Sequence, residues 1–411
     1  MEHRAERWRG VLVAGGFLAW MVLAAVRTLP PAALRPPPGG SGLPAAYYPW
    51  AYSHFSYSDI LTLYGERHLA AHALPIVHQP VEYPVLMDLA MWAAAWVPGL
   101  VGYFLATAAL LALSGLVALA AFRRAAPRRW WMFAASPLVA AYGLVNWDLF
   151  GIVWLAASWW AYREDRPAWA GVFVGLGAST KLFPLASWPF MAWAWWTAGR
   201  RRDAAILSLA LLGTVVLVNA PFAWANWHNW TQFVRYNTGR LAIADLWVLV
   251  WPHIRPHTVD LLSLLLVLAM GVAALGGVGR GWDPARAAAA VFTGWMIANK
   301  VFSPQYMLWV LAFGVLAEWP PGALALVTLG GLADDANSFG SLAVHALYPP
   351  GNPLRVLVRH RLFPLGLLLR YATLALAGAL GLGAGPSRPP VVRYGPSIRY
   401  SRVGDPGSGE P

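Results

Sequence analysis

The residues best suited to chemistry cluster in one stretch, 57–84, and just before it. Tyr57-Ser58-Asp59-Ile60 opens it and Gln79-Pro80-Val81-Glu82-Tyr83-Pro84 closes it. Two carboxylates, Asp59 and Glu82, stand there among aromatics and four histidines, His54, His68, His72 and His78, in a chain that is otherwise mostly apolar. An acid beside a bilayer is costly, so its presence calls for a reason. A carboxylate at a membrane surface can take the proton of an attacking hydroxyl. Asp59 is the candidate for that base, with the surrounding spans holding a lipid-linked donor beneath it. Its plain alternative is structural: Ser58-Asp59 can cap a helix over 58–73. Asp88 is a weaker rival base. The histidines, with His68 and His72 at i and i+4, could hold a metal with Glu82 or Asp59. Nothing else fixes such a geometry, and contacts with headgroups or sugar hydroxyls suit them better.

The cations come next, because the chain has only two lysines, Lys181 and Lys300. Both fall at turns between apolar runs. In 300–306 a lysine is followed by Ser303, Pro304, Gln305 and Tyr306. Such a turn can hold a phosphate, helped by the unpaired amides that open the next helix. Lys181, within Thr180-Lys181-Leu182-Phe183-Pro184, reads the same way. Snorkelling beside lipid headgroups is the ordinary explanation for both. Asn146-Trp147-Asp148 turns another hairpin, and there Asp148 can face Lys181 as a buried ion pair or simply sit in a turn.

Positioning these groups falls to a membrane-embedded helical scaffold. The chain has 411 residues, 58% hydrophobic and 12% charged, with a mean hydropathy of +0.50. Soluble domains carry about 25% charged residues, so repeated apolar runs at half that density exclude the soluble classes. The net charge of +12 is nearly all arginine and reports topology before ligand, and no nucleic-acid partner is expected. Without cysteine there is no disulfide or thiolate metal site. The fold class expected is an all-α polytopic membrane protein of about twelve transmembrane helices. The runs are 10–29, 100–122, 130–146, 149–162, 168–180, 183–198, 204–220, 258–278, 286–299, 305–317, 322–334 and 362–383. Arg4, Arg7 and Arg9 precede the first run, which reads as an uncleaved span.

Three external loops are expected, at 30–99, 221–257 and 335–361. Residues 85–97 form an interfacial or re-entrant helix within the first. Arginine clusters at 123–129, 163–166, 200–202, 280–286 and in the tail then all lie in the cytoplasm. Asp59, Glu82, Asp148, Lys181, Arg235, Arg240, Lys300 and Asp334 all face outward. Residues 1–385 make one transmembrane domain, and 386–411 a disordered cytoplasmic tail.

The order Tyr-Ser-Asp-Ile, Val-Glu-Tyr-Pro-Val-Leu, Asn-Trp-Asp-Leu-Phe, Lys-Leu-Phe-Pro, Asn-Ala-Pro (219–221) and Asn-Lys-Val-Phe-Ser-Pro-Gln-Tyr resembles actinobacterial membrane glycosyltransferases of family 87 over roughly residues 10–320. These are polyprenyl-phosphate-mannose-dependent mannosyltransferases of the GT-C superfamily. Around 243–247 and after Asp334 the chain departs from the family's pattern. The resemblance implies a GT-C-like bundle in the plasma membrane whose first external loop carries the catalytic aspartate, here Asp59. It implies a polyprenyl-phosphate-sugar donor, a lipid or glycan acceptor, and a single inverting displacement on the extracytoplasmic face. Lys300 with Arg235 or Arg240, supported by Lys181, Ser303 and Gln305, would hold the donor phosphate. Tyr57, Glu82, Tyr83, Asn146, Trp147, Asp148 and Tyr306 would line the sugar and acceptor positions. No cofactor is implied; a divalent metal is compatible but not required. The competing class is a transporter or flippase of such lipids without transferase activity, which would show internal repeats with paired broken helices. The lysine-tipped turns at 181 and 300 are the only repetition of that kind.

Overall fold

A computed structural model describes residues 2–37, 40–241 and 245–383, so the expected tail at 386–411 lies outside the described residues. The described residues are helical, with no strand beyond one isolated bridge between Pro75 and Gln79. The first helix, α1 (Glu2–Thr28), leads into a loop holding α2 (Tyr47–Ser53), α3 (Asp59–Glu66) and α4 (Val85–Ala94). Then come α5 (Gly99–Ala125), α6 (Trp130–Ala135), α7 (Leu138–Tyr142), α8 (Asp148–Arg163), α9 (Pro167–Ala178), α10 (Trp188–Thr197) and α11 (Arg201–Ala225). Short helices α12 (Trp227–Trp230), α13 (Gln232–Gly239) and α14 (Leu246–Val250) fill the second loop. The chain closes with α15 (Pro256–Gly279), α16 (Pro284–Ala298), α17 (Met307–Leu316), α18 (Pro321–Leu347), α19 (Pro353–Leu357) and α20 (Phe363–Gly383).

Among the described residues, five helical segments are long and apolar enough to cross a membrane: Trp8–Thr28, Gly99–Ala125, Arg201–Ala225, Pro256–Gly279 and Pro353–Gly383. The protein is therefore an all-helical membrane protein. The other seven expected runs do form helix, but mostly in shorter pieces. The 16 residues of α8 and the 10 of α17 reach about 24 and 15 Å at 1.5 Å per residue, short of a hydrocarbon core of about 30 Å. The run at 130–146 breaks before Pro137. Ser136 takes an extended backbone there, as a residue before proline prefers, and its Oγ caps the amide of Leu138 at 3.3 Å.

Helix continues beyond Asp334, where the eleventh run was expected to end, into the segment expected as the third external loop. Helix α18 is 27 residues long, Pro321–Leu347, and only 348–352 separate it from α19. Asp334 can sit in mid-helix because Arg370 of α20 pairs with it at 2.8 Å. A charge so compensated does not force the helix out into water.

Helix α17 is buried along its whole length and forms the centre of the bundle, packed between α8, α16 and α18. One end is tied by arginines. Arg128 donates to Glu318, Arg163 lies 2.8 Å from Asp283, Arg200 lies 2.5 Å from Asp165, and Arg123 lies 3.7 Å from Glu6. The clusters at 123–129, 163–166, 200–202 and 280–286, read as cytoplasmic in the sequence, thus gather at one end. The 27 residues of α5 carry the chain about 40 Å from the loop of α2–α4 to that end.

Candidate active site

At the opposite end the first loop is pinned to the corner between α7 and α8. Ser58 caps α3, its Oγ accepting from the amide of Ile60 at 3.2 Å while donating to the carbonyl of Leu144 at 2.5 Å. The next amide, that of Asp59, donates to the carbonyl of Val145 at 2.8 Å. The cap reading of the Ser-Asp pair is therefore correct for Ser58. Asp59 takes the first helical position, which leaves its carboxylate free for other partners.

Both oxygens of that carboxylate are engaged, and neither by a cation. The hydroxyl of Tyr57 donates to Oδ1 at 2.9 Å, and Nδ2 of Asn146 donates to Oδ2 at 2.7 Å. Nδ2 of Asn146 also meets the hydroxyl of Tyr83 at 2.9 Å. Its Oδ1 accepts from Nζ of Lys181 at 2.8 Å and from the amide of Trp147 at 2.7 Å. Lys181 in turn reaches Oδ1 of Asp148 at 2.5 Å, so the buried ion pair anticipated for the hairpin turns is formed. Nε1 of Trp309 donates to the same oxygen at 2.7 Å. Aromatic faces enclose the lysine: its Nζ lies 5.9 Å from the ring centre of Tyr83 and 5.4 Å from that of Trp309. Tyr306 stacks on Trp309 at 3.9 Å, and Tyr83 meets Trp147 edge-on at 5.9 Å.

Asp59 keeps partial access to solvent although protein atoms crowd it. That crowding pushes its carboxyl up from the ordinary carboxylate range. The bonds from Asn146 and Tyr57 and the charge of Lys181 pull it back, and Asp148 adds a smaller upward push.

Other expected members stand apart. Glu82 is held by Arg67 in a two-pronged pair, each contact 2.7 Å. Arg235 lies on the exposed face of α13 and binds back to the preceding turn through Thr231, Gln232 and the carbonyl of His228. Lys300 does not stand open at a hairpin tip. It is buried, 2.8 Å from Asp260 and 3.1 Å from the carbonyl of Thr238. Arg240 rests over Tyr236 at 5.4 Å, and its charge acts on the Tyr306 hydroxyl, which also feels Asp148 and Asp59. Ser303 lends its carbonyl to the amide of Tyr306 at 2.9 Å, and Gln305 is buried beside it. The rival base Asp88 is buried on α4 with no hydrogen-bond partner for either oxygen among the described residues.

No group of three or more histidine and acidic side chains suited to a metal occurs among the described residues. His72 instead stacks on Trp96 at 4.4 Å and meets the carbonyl of Ala95 at 2.9 Å, while His54 stacks on Trp50 at 5.3 Å. Trp309 in the network and Asp260 beside Lys300 were not read from the sequence. Trp309 follows Tyr306 by three positions, the spacing that puts two side chains on one helical face, and that signal was available. Asp260 sits 40 positions before Lys300, and nothing local links them.

The fold and the cluster together define a helical membrane protein with an acid–amide–lysine network at the end opposite its arginines. The model of glycosyltransferase family 87 matches residues 82–304, more than half of the chain, and the protein belongs to that family. The matched segment includes Tyr83, Asn146, Asp148, Lys181 and Arg240, whereas Tyr57, Asp59 and Tyr306 lie outside it. No curated protein and no solved structure matches the chain.

Proposed function

We propose that this glycosyltransferase moves a sugar, mannose, from a polyprenyl-phosphate donor to an acceptor hydroxyl on the extracytoplasmic face of the cell membrane, with Asp59 as the base. Family membership supports the transferase; the remainder is our reading. The observation that carries it is the state of Asp59. Of the carboxylates at this end, Asp148 and Glu82 are neutralised by ion pairs and Asp88 is sealed in the core. Asp59 is partly exposed, held by neutral donors, and ringed by tyrosines and tryptophans of the kind that stack on sugar faces.

In the reaction the acceptor oxygen attacks the anomeric carbon while its proton passes to Asp59. The bond between that carbon and the phosphate oxygen breaks, and polyprenyl phosphate departs with the bonding pair. A phosphate leaving group needs cations in place of a general acid. Arg240, a second-loop cation whose charge acts on the Tyr306 hydroxyl, is the residue we assign to it. One carboxylate and one displacement invert the anomeric centre, as in the base half of an inverting glycosidase. The remaining apolar helices complete a bundle of about twelve, with the arginine end in the cytoplasm.

The test is incubation of the purified protein with polyprenyl-phosphate-mannose and candidate lipid or glycan acceptors, with product identified by mass. The Asp59→Asn variant should lose about a hundred- to ten-thousand-fold in rate while keeping donor affinity, since asparagine is nearly isosteric. Retention of more than about a tenth of wild-type turnover would return Asp59 to a structural role and sink the base assignment. The chain has no native cysteine, so a single one placed at exposed Ser53 reports sidedness. Labelling by an impermeant reagent in intact cells is expected, and protection there contradicts an external site.

A further inference from the structure

The amide between the acid and the lysine has only one workable orientation. An ammonium and a backbone N–H donate and cannot accept. Asn146 faces both, Lys181 at 2.8 Å and the amide of Trp147 at 2.7 Å, so its oxygen must lie on that side. Its NH2 is therefore committed to the other side, where it reaches Asp59 at 2.7 Å and Tyr83 at 2.9 Å. Lys181 is itself fixed by Asp148, and Asp148 by the indole of Trp309. Without the lysine, only the backbone amide of Trp147 would hold the oxygen on that side, and the orientation of the NH2 toward Asp59 would be less firmly set.

We propose that Asn146 is the positioning residue of the Asp59 base, its amide locked by the Lys181–Asp148 pair so that the carboxylate meets the acceptor hydroxyl in one fixed orientation. This rests on the reading of Asp59 as the base. It moves Asn146 and Lys181 out of the sugar- and phosphate-binding roles that their sequence motifs suggest. The lysine has the geometry for the new role: its contacts run to Asp148, to Asn146 and to two ring faces. The amide donation also helps to keep Asp59 ionised. The other groups that act on Asp59 are Tyr57, Lys181 and Asp148. Tyr47 and Tyr52 of α2, Tyr83 before α4 and Tyr306 before α17 couple to it more weakly.

The experiment is a pH series of kcat and donor KM for Asn146→Asp and Asn146→Ser, with Tm recorded for each. Asn146→Asp keeps the shape and the contact with Lys181 but removes the donor and adds a like charge beside Asp59. Expected are a loss in kcat of about 10- to 100-fold at neutral pH, a donor KM within about threefold, and an acid limb moved to higher pH. Asn146→Ser should move the limb the same way by less. The double variant Lys181→Met/Asp148→Asn removes the lock without leaving a bare charge. Adding Asn146→Ser to it should cost little more. An unchanged acid limb, or a loss carried by KM, overturns the proposal and makes Asn146 a ligand of the sugar. Those results with an inactive Asp59→Asn remove only the positioning role, whereas an active Asp59→Asn removes the base reading itself.

Discussion

The two lysines of this chain occupy equivalent places in the sequence and different places in the molecule. Each follows a helix at a turn, and each finds a carboxylate, Lys181 at 2.5 Å and Lys300 at 2.8 Å. The difference lies in the partner. The side chain of Asp148 is fully buried and that of Asp260 is 42% exposed. Beyond the partner, Lys181 continues through Asn146 to Asp59, whereas Lys300 ends on the carbonyl of Thr238. A buried pair is costly to break because the survivor has no water to turn to. A pair with one exposed member contributes little and breaks cheaply. One lysine is therefore linked to the Asp59 cluster, and the other ties α13 and α15 to the turn before α17.

The largest effect should come from breaking the buried side of this comparison. Lys181→Met strands the Asp148 carboxylate and should destabilise the protein by about 3–5 kcal/mol, seen as a fall in Tm together with loss of transfer. Asp148→Asn in the same chain should restore much of the stability and little of the activity. If the double variant regains full turnover, Lys181 serves the fold alone and the two lysines differ only in burial.

The assignment of the phosphate to the second loop is sharpened by Arg240→Gln. Loss of one charge-assisted contact is worth about 1.5–3 kcal/mol, so the donor KM should rise roughly 10- to 100-fold, with kcat less affected. An unchanged KM would hand the phosphate back to one of the lysines.

The pH dependence separates the two regions next. Crowding raises the Asp59 carboxyl above the ordinary carboxylate range, with Asn146 and Tyr57 opposing it. A raised value favours the protonated acid, which cannot accept a proton. Activity should therefore fail on acidification earlier than an ordinary aspartate would allow. The same shift makes the ionised carboxylate a stability cost that grows as pH rises through the folded value. Asp59→Asn should flatten that part of the Tm profile. Removal of Lys300 should leave the acid limb of kcat/KM in place, and removal of Asn146 should move it.

Much of this arrangement was legible before the fold was known. The apolar runs announce a membrane bundle, since composition alone excludes a solvated core. Ser58-Asp59 announces a helix start, and Asn146-Trp147-Asp148 against Lys181 offers a buried pair as one of two readings. All of these are local signals or follow from the order of hairpins. Hidden were the facts that depend on which helices touch. The continuation of α18 past Asp334 requires Arg370 from a later helix. The partner of Lys300 comes from the start of α15, and the indole that fixes Asp148 comes from α17. A carboxylate in an apolar run looks like a terminus until its counter-charge is in view.

The smallest effect is expected at Lys300. The motif around it suggests a phosphate ligand, and on that reading Lys300→Met should cost donor affinity as heavily as Arg240→Gln. The structure argues otherwise. The ammonium is spent on Asp260 and on the carbonyl of Thr238, with its side chain only 6% exposed, so a phosphate would first have to displace an existing partner. When the lysine is removed, Asp260 is not left sealed in the protein, since its side chain is 42% exposed at the start of α15. Methionine fills the volume of the buried stem, so packing is largely kept. The change should cost about 1 kcal/mol or less in stability and leave the donor KM within about threefold. Binding of a labelled polyprenyl-phosphate-mannose to the two variants side by side decides the matter. A tenfold loss in Lys300→Met with none in Arg240→Gln would reverse the assignment and show that a bound donor takes Lys300 from Asp260.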